Sequence, residues 1–222
     1  MRTHAAMTVS SCFAVLRQLR SCHSDPASQT LVVALVLTKL DYGSATLAGL
    51  PAVQLDRLKS VLNAAARLIY RRRKFDHVSP LLKELIWLRV PQRITFRLAV
   101  LGYRCQLNMA PRYLTAQIQQ ASSVGYRQRL GSSSSSSAKL DVPRTEHVTI
   151  GGRTFSSTAA HVWNSLPTAV QSSESLDIFR RRLKTELFER SYNSVKQLYC
   201  CVTHFHLPAA FCCGRNLEVY RL

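Results

Sequence analysis

The sequence predicts a mainly α-helical chain: a helical bundle, then a small α+β region with one β-hairpin, then a tail without structure. Three observations predict it. Pro51, Pro80 and Pro91 each stand where a helix begins, because the N–H that proline lacks has no intrahelical partner in the first turn. Apolar residues after Pro51 and Pro91 recur at steps of three and four, the spacing of one helix face. Residues 132–137 are six consecutive serines, a run that buries nothing and separates the bundle from the C-terminal third of the chain. The expected divisions are 1–119 for the bundle, 120–139 for a flexible Ser-rich loop, 140–192 for the small region and 193–222 for the tail.

Taken in order, the first residues fray and a helix forms from about Cys12 to Leu19, ending near Arg20. Ser24-Asp25-Pro26 restarts the chain as helix, with a side-chain oxygen for the N-cap and a proline in the first turn. The next helix, through Leu40, contains LVVALVL and is apolar almost all round, so it is expected to be the central buried helix. Its β-branched residues also suit a strand, but length and N-cap favour helix. Asp41-Tyr42-Gly43 ends it, with Gly43 left-handed. After Pro51, Leu55, Leu58, Leu62, Ala65 and Ile69 form one buried face, with Arg57, Lys59, Arg67 and Arg71 on the other side.

After Pro91, Ile94, Leu98, Leu101 and Cys105 make a second apolar seam. Arg93, Arg97 and Arg104 form a narrow stripe beside it, with Phe96 and Val100 on the stripe's far flank. Such a helix is packed on two sides and open along one line. A short helix near Pro111 to Gln119 comes after Met109-Ala110. Past the serines, His147 to Ile150 and Arg153 to Phe155 flank Gly151-Gly152 and read as a β-hairpin. Ser157 to Trp163 is a short helix closed by Asn164-Ser165-Leu166-Pro167. Ser173 or Ser175 then caps a last helix, with Leu176, Phe179, Leu183 and Leu187 on its apolar side and Arg180, Arg181, Arg182 and Lys184 elsewhere.

Charge narrows the partners. Thirty Lys+Arg against 12 Asp+Glu give a net charge of +18, a field that favours polyanions, either nucleic acid or an acidic membrane. From Asp56 to Arg112 there are thirteen basic residues and three acidic ones, spread over three helices. A membrane-surface segment instead concentrates its charge beside one large apolar face. The expected partner is therefore RNA or DNA backbone, with no membrane. The apolar patch after Arg2 is broken by His4 and a Thr-Val-Ser-Ser-Cys run, unlike a secretory signal. The longest apolar run, Leu31 to Leu37, is seven residues, far below the ~20 that cross a bilayer. An intracellular chain is expected, not a secreted one, with the nucleus as one location. Hydrophobic content of 46% argues against wholesale disorder. Seven cysteines, four of them in the last 23 residues, give no disulfide framework and are expected to be reduced.

LDYGSATLAGLP from Leu40, LDRLKSVLNAAARLI from Leu55 and FDHVSPLLKELIWLRVPQRITFRLAVLGYR from Phe75 resemble the region downstream of the polymerase palm in jockey-like non-LTR retrotransposon reverse transcriptases. RTFSSTAAHVWNSLP and SLDIFRRRLKTELF resemble the end of the same reading frame, so the similarity runs from about Ser10 to Tyr192. It implies a thumb, a helical bundle that lies against a primer–template duplex. Palm and endonuclease would lie upstream, and the tail after Tyr192 looks like appended read-through sequence, with a host-derived tail as the alternative. A polymerase of this kind needs carboxylates that clamp two metal ions, and in reverse transcriptases an adjacent aspartate pair supplies part of that clamp. Here Asp25, Asp41, Asp56, Asp76, Asp141 and Asp177 are all isolated, most beside turns or caps. No catalysis is expected.

Arginines on helix faces grip phosphates without reading bases. The candidates are Arg67, Arg71, Arg72, Arg73, Lys74, Arg93, Arg97 and Arg104. For Arg71 to Lys74, phosphate contact stands level with plain solvation, and a nuclear-import patch is a third reading. For Arg93, Arg97 and Arg104, apolar neighbours on both sides tip the balance towards contact. Trp87 and Trp163 suit base stacking, but their apolar helical settings favour the core. Asp76-His77 reads better as a cap or loop-ordering pair than as an acid–base pair. Cys12 and Cys105 read as small buried apolar residues. Cys200, Cys201, His204, His206, Cys212 and Cys213 do not have the spacing of zinc ligands, so neither metal nor cofactor is expected. The chain is thus expected to be a non-catalytic fragment of an RNA-directed DNA polymerase that binds nucleic acid. The alternatives are a host protein-interaction module on the same scaffold and a translated relic without a role.

Overall fold

Proline placement sets where most of the helices start. The computed structural model describes residues 2–21, 25–118, 139–143 and 152–199. Helix α1 is Arg2–Leu19. Helix α2, Asp25–Val32, continues through a π-helical turn, Val33–Leu37, into α3, Thr38–Asp41. A 3₁₀ turn, Ser44–Leu47, leads to α4, Ala52–Ile69, immediately after Pro51. Helices α5, Ser79–Glu84, and α6, Val90–Gln106, carry Pro80 and Pro91 in their first turns. Helix α7, Arg112–Thr115, comes directly after Pro111. Helices α8, Phe155–Asn164, α9, Thr168–Gln171, which starts after Pro167, and α10, Leu176–Tyr199, complete the described chain.

Two apolar cores share α6. The first gathers Cys12, Leu16, Val36, Leu58, Val61, Leu62, Trp87, Val90, Ile94 and Leu98, from α1 to the first half of α6. The second gathers Val100 and Tyr103 from the second half of α6 with Trp163, Phe179, Leu183 and Leu187 from α8 and α10. In it Tyr103 stacks on Phe179 with ring centroids 4.3 Å apart, and Trp163 lies 5.9 Å from Phe179. The Tyr103 hydroxyl donates to the Ser173 carbonyl at 2.8 Å, and that of Tyr192 to the Trp87 carbonyl at 2.8 Å. These two bonds tie opposite ends of α6 and its lead-in to α10, so the two helices run antiparallel.

Several expectations are corrected. Helix α1 begins at Arg2 rather than near Cys12, because Ala5 already joins the buried face of Cys12, Leu16 and Leu19. The helix from Asp25 is not buried all round: Val32, Val36 and Leu40, four residues apart, face the core, while Leu35 is 45% exposed. Helix α7 stops at Thr115, short of the expected Gln119. The β-hairpin is replaced where it can be seen: residues 152–154 form a turn and Phe155 already starts α8. Phe155 packs against the first core and Trp163 lies in the second. His147 to Ile150 lies outside the described residues, among which no strand forms. The final helix continues past Tyr192 to Tyr199, where the tail was expected to be unstructured, and residues 200–222 lie outside the described residues.

Three helix ends close without glycine. Arg71, Ile86 and Asn108 take φ of 49°, 54° and 54° just after α4, α5 and α6. In each case the next amide reaches back five residues: Arg72 to Arg67 at 2.9 Å, Trp87 to Leu82 at 2.9 Å and Met109 to Arg104 at 2.8 Å. This is the Schellman closure, which ordinarily has glycine or asparagine at the left-handed position. Gly43, with φ 66°, takes the left-handed role its sequence position suggested.

Because α6 serves both cores, damage to one is expected to reach the other. Phe179→Ala should lower stability by about 3–5 kcal/mol, the usual loss on truncating a buried phenylalanine. In a Trp163→Phe background, fluorescence reports Trp87 in the first core. Its denaturant midpoint should fall with that of the second core. An unchanged Trp87 midpoint would mean the cores unfold independently.

Candidate nucleic-acid interface

The stripe on α6 lies on the line between the two cores. Successive helical residues turn by about 100°, so Arg93, Arg97 and Arg104 fall within about 40° of one another. Ile94 and Leu98 flank them on the side of the first core, Phe96, Val100 and Tyr103 on the side of the second. At about 1.5 Å per residue the stripe runs about 16 Å along the axis. The two-sided packing that the sequence implies is the packing found.

The three guanidinium groups are placed differently. Arg93 donates from Nε and Nη2 to Oδ1 and Oδ2 of Asp41, at 2.8 and 2.6 Å. This planar fork matches a carboxylate in geometry and charge. Both side chains are mostly buried, at 16% and 18% exposed. Arg97 reaches the same carboxylate at 3.8 Å and is 53% exposed. Arg104 is half-buried farther along the helix. On the opposite wall Lys184 packs near Arg93: burial first, and then the Arg93 charge, push its ammonium below the usual 10.5. Arg180, one turn before Lys184, shares its side of α10 and lies 3.7 Å from Asp177. The stripe thus forms one wall of a seam between α6 and α10, and Asp41 binds it from the end of α3.

Asp41 and Lys184 were not legible as partners of the stripe. Asp41 is 52 residues from Arg93 in sequence, beyond any local spacing. One signal existed: a carboxylate at the C-terminal end of a helix opposes the helix dipole, so Asp41 needed a cation from elsewhere. Lys184 carries no such sign.

The other basic candidates gather after α4. Arg67 is part-buried and donates from Nε and Nη2 to the Asp76 carbonyl at 3.2 and 3.0 Å. The Asp76 carboxylate accepts from the Arg73 amide at 3.0 Å, which is the loop-ordering role its position suggested. Arg71, Arg72, Arg73 and Lys74 are exposed on the loop so formed. The three consecutive arginines of α10 diverge: Arg180 lies near Asp177, Arg182 donates to the Ala169 carbonyl at 2.9 Å, and Arg181 is exposed.

The remaining chemistry is structural. Trp87 and Trp163 are 3% and 2% exposed and belong to the cores, as their settings suggested. Cys12 and Cys105 are buried, and burial pushes both thiols up. A cavity of ≈ 350 Å³ opens among Gln92, Thr95, His161, Val162, Ser165, Leu187 and Arg190. Arg190 in it is already bonded to Glu186 at 2.7 Å and to the Ser165 carbonyl at 3.2 Å, and the Thr95 and Ser165 hydroxyls donate to backbone. Among the described residues no cluster of His, Cys, Asp or Glu is arranged to hold a metal, and no helix is long and apolar enough to cross a membrane. The six Cys and His residues of the tail lie outside the described residues. No protein-family model matches the chain, nor does any curated protein or solved structure.

The state of Lys184 gives a pH signature. A lysine whose folded pKa is depressed binds fewer protons folded than unfolded, so its contribution to stability rises with pH between the folded value and the usual 10.5. Lys184→Met removes this titration. The variant's unfolding free energy, relative to wild type, should be most favourable at neutral pH and lose that advantage as pH approaches 10.5. A difference independent of pH would show that Lys184 is not held against its charge.

Proposed function

We propose that this chain grips the sugar–phosphate backbone of a duplex through the α6–α10 seam, without reading bases, as a non-catalytic, thumb-like part of a jockey-like non-LTR reverse transcriptase. The observation that carries the reading is the seam itself. Arg93 and Arg97 converge on Asp41, and Lys184 stands near Arg93 with its charged form disfavoured. An incoming phosphate would meet the stripe at Arg97, which is 53% exposed. Arg97 is exposed and Arg104 half-buried along the same line, whereas Arg93 is the post that fixes α6 to the end of α3. Along the axis the stripe matches about five base steps at 3.4 Å each.

The family reading rests on the sequence resemblance of these motifs, and two of them have clear structural places. LDYG supplies Asp41 and the left-handed Gly43. WNSLP supplies Trp163 to the second core and Asn164, whose side-chain amide pairs both ways with the Leu140 backbone at 2.9 Å. Each motif thus sits at a joint of the fold. No catalytic residue is assigned to this chain. The protein-interaction reading draws on one patch, Leu107, Met109 and Tyr113 at the end of α6 and in α7, which are 48%, 58% and 68% exposed. Binding retained at high salt is its mark.

The experiment is the salt dependence of duplex binding. Each phosphate contact contributes about 0.9 to the slope of log K against log salt on duplex DNA. Arg97→Gln with Arg104→Gln should flatten that slope by about two units while leaving the fold intact, because glutamine keeps much of the aliphatic stem. Arg93 is left in place, since removing it strands the Asp41 carboxylate. Arg57→Gln with Lys59→Gln, on the outer face of α4, removes the same charge elsewhere and should change the slope less. An unaltered slope in the α6 variant would remove the seam from consideration.

A further inference from the structure

The loop between α4 and α5 presents an aromatic ring to solvent from a frame that holds it still. Phe75 is 89% exposed. Its surroundings are tied at several points: the Schellman closure at Arg71, two bonds from Arg67 to the Asp76 carbonyl, and the Asp76 carboxylate on the Arg73 amide. The Asp76 amide returns to the Arg73 carbonyl at 3.2 Å. Behind the loop, Tyr70 lies against Glu84, and burial and then that carboxylate push its phenol up. The exposure of Phe75 is therefore built into the backbone. Beside it, Arg72, Arg73 and Lys74 are exposed, and the Lys74 ammonium lies 5.7 Å from the ring centroid.

An accessible π-face flanked by cations is what binds unpaired nucleotides, because every base has a face to stack and every linkage a charge to meet. Both tryptophans, the larger stacking surfaces in the chain, are buried; of the exposed rings Tyr42, Phe75 and Tyr113, at 77%, 89% and 68%, Phe75 is the most exposed and the one that follows a run of four basic residues. A lipid surface is less well matched, since a membrane-surface site needs a broad apolar face, and Arg71, Arg72, Arg73, Lys74, Asp76 and His77 around Phe75 are all polar. We infer that this loop is a single-strand subsite, in which Phe75 stacks on an unpaired base while Arg72, Arg73 and Lys74 hold the adjoining phosphates. The inference rests on the nucleic-acid reading above and adds a substrate feature to it: an unpaired template or product strand beside the duplex.

The test uses the full chain with two labelled probes, a mixed-sequence single strand and the blunt duplex of the same sequence. Phe75→Ala should weaken single-strand binding at least about fivefold, the lower end of what one stacked base contributes. Duplex binding and the thermal midpoint should stay unchanged, and Phe75→Trp should restore single-strand binding. A loss under about twofold, below the range of a stacking contact, overturns the inference. Equal weakening of both probes overturns it too, since the ring would then serve the fold. So does Phe75-dependent pelleting with anionic phosphatidylserine vesicles without a single-strand effect. If the wild-type chain binds neither probe, the duplex-gripping reading falls along with this one; if it binds the duplex and Phe75→Ala changes nothing, only this inference falls.

Discussion

Helix α6 must satisfy two cores at once, and most of the structure depends on that constraint. Ile94 and Leu98 are committed to one side, Val100 and Tyr103 to the other. Between these two sides runs a strip about 40° wide, and it is occupied by arginine. A helix clamped this way cannot roll to hide or expose that strip. The bidentate contact between Arg93 and Asp41 adds a polar fastening at the same line, joining α6 to the end of α3. Mostly buried ion pairs of this kind contribute little net stability but are damaging to break. The role of this one is to fix the register of two elements far apart in sequence.

Rigidity matters because sequence-independent binding gets its affinity from charge placed at the right spacing, not from adaptable base contacts. In the seam, Arg97, Arg104 and Lys184 project from two antiparallel helices whose relation is set by Tyr103 at one end and Tyr192 at the other. Lys184 shows that the concentration of charge has a cost, since burial and Arg93 both disfavour its ammonium. The loop carrying Phe75 obeys the same logic on a smaller scale, with an arginine used as a strut so that the ring beside it is presented.

Much of this fold was legible because proline and apolar spacing act locally. The helix starts at Pro51, Pro80 and Pro91, the single face of α4, the two sides of α6 and the capping role of Ser175, whose hydroxyl accepts from the Ile178 amide at 3.3 Å, are all set by residues within a few turns. The features that were not legible depend on distant partners. Thr154 and Phe155 are β-prone in isolation, yet Thr154 stands at the N-cap of α8 and Phe155 is its first residue, packed against the first core. The apolar run at Leu31 to Leu37 looked fully buried, but Ala34 and Leu35 are exposed, and a π turn falls within it. Helix ends at Arg71 and Ile86 carry no glycine to announce them. Of the eight proposed contact residues, Arg67 proves to be a strut and Arg93 a post, roles assigned by Asp76 and Asp41 and not by their own neighbours.

The central claim is that phosphates lie along the α6–α10 seam, and arginine footprinting tests it most directly. The full chain, alone and saturated with mixed-sequence duplex at low salt, is treated with an arginine-selective dicarbonyl reagent, and modification is read by mass spectrometry. Arg97 and Arg104 should be protected by duplex, whereas Arg57 on the outer face of α4 should react as before. If Arg97 and Arg104 react equally with and without bound duplex, the nucleic acid lies elsewhere and the seam is structural.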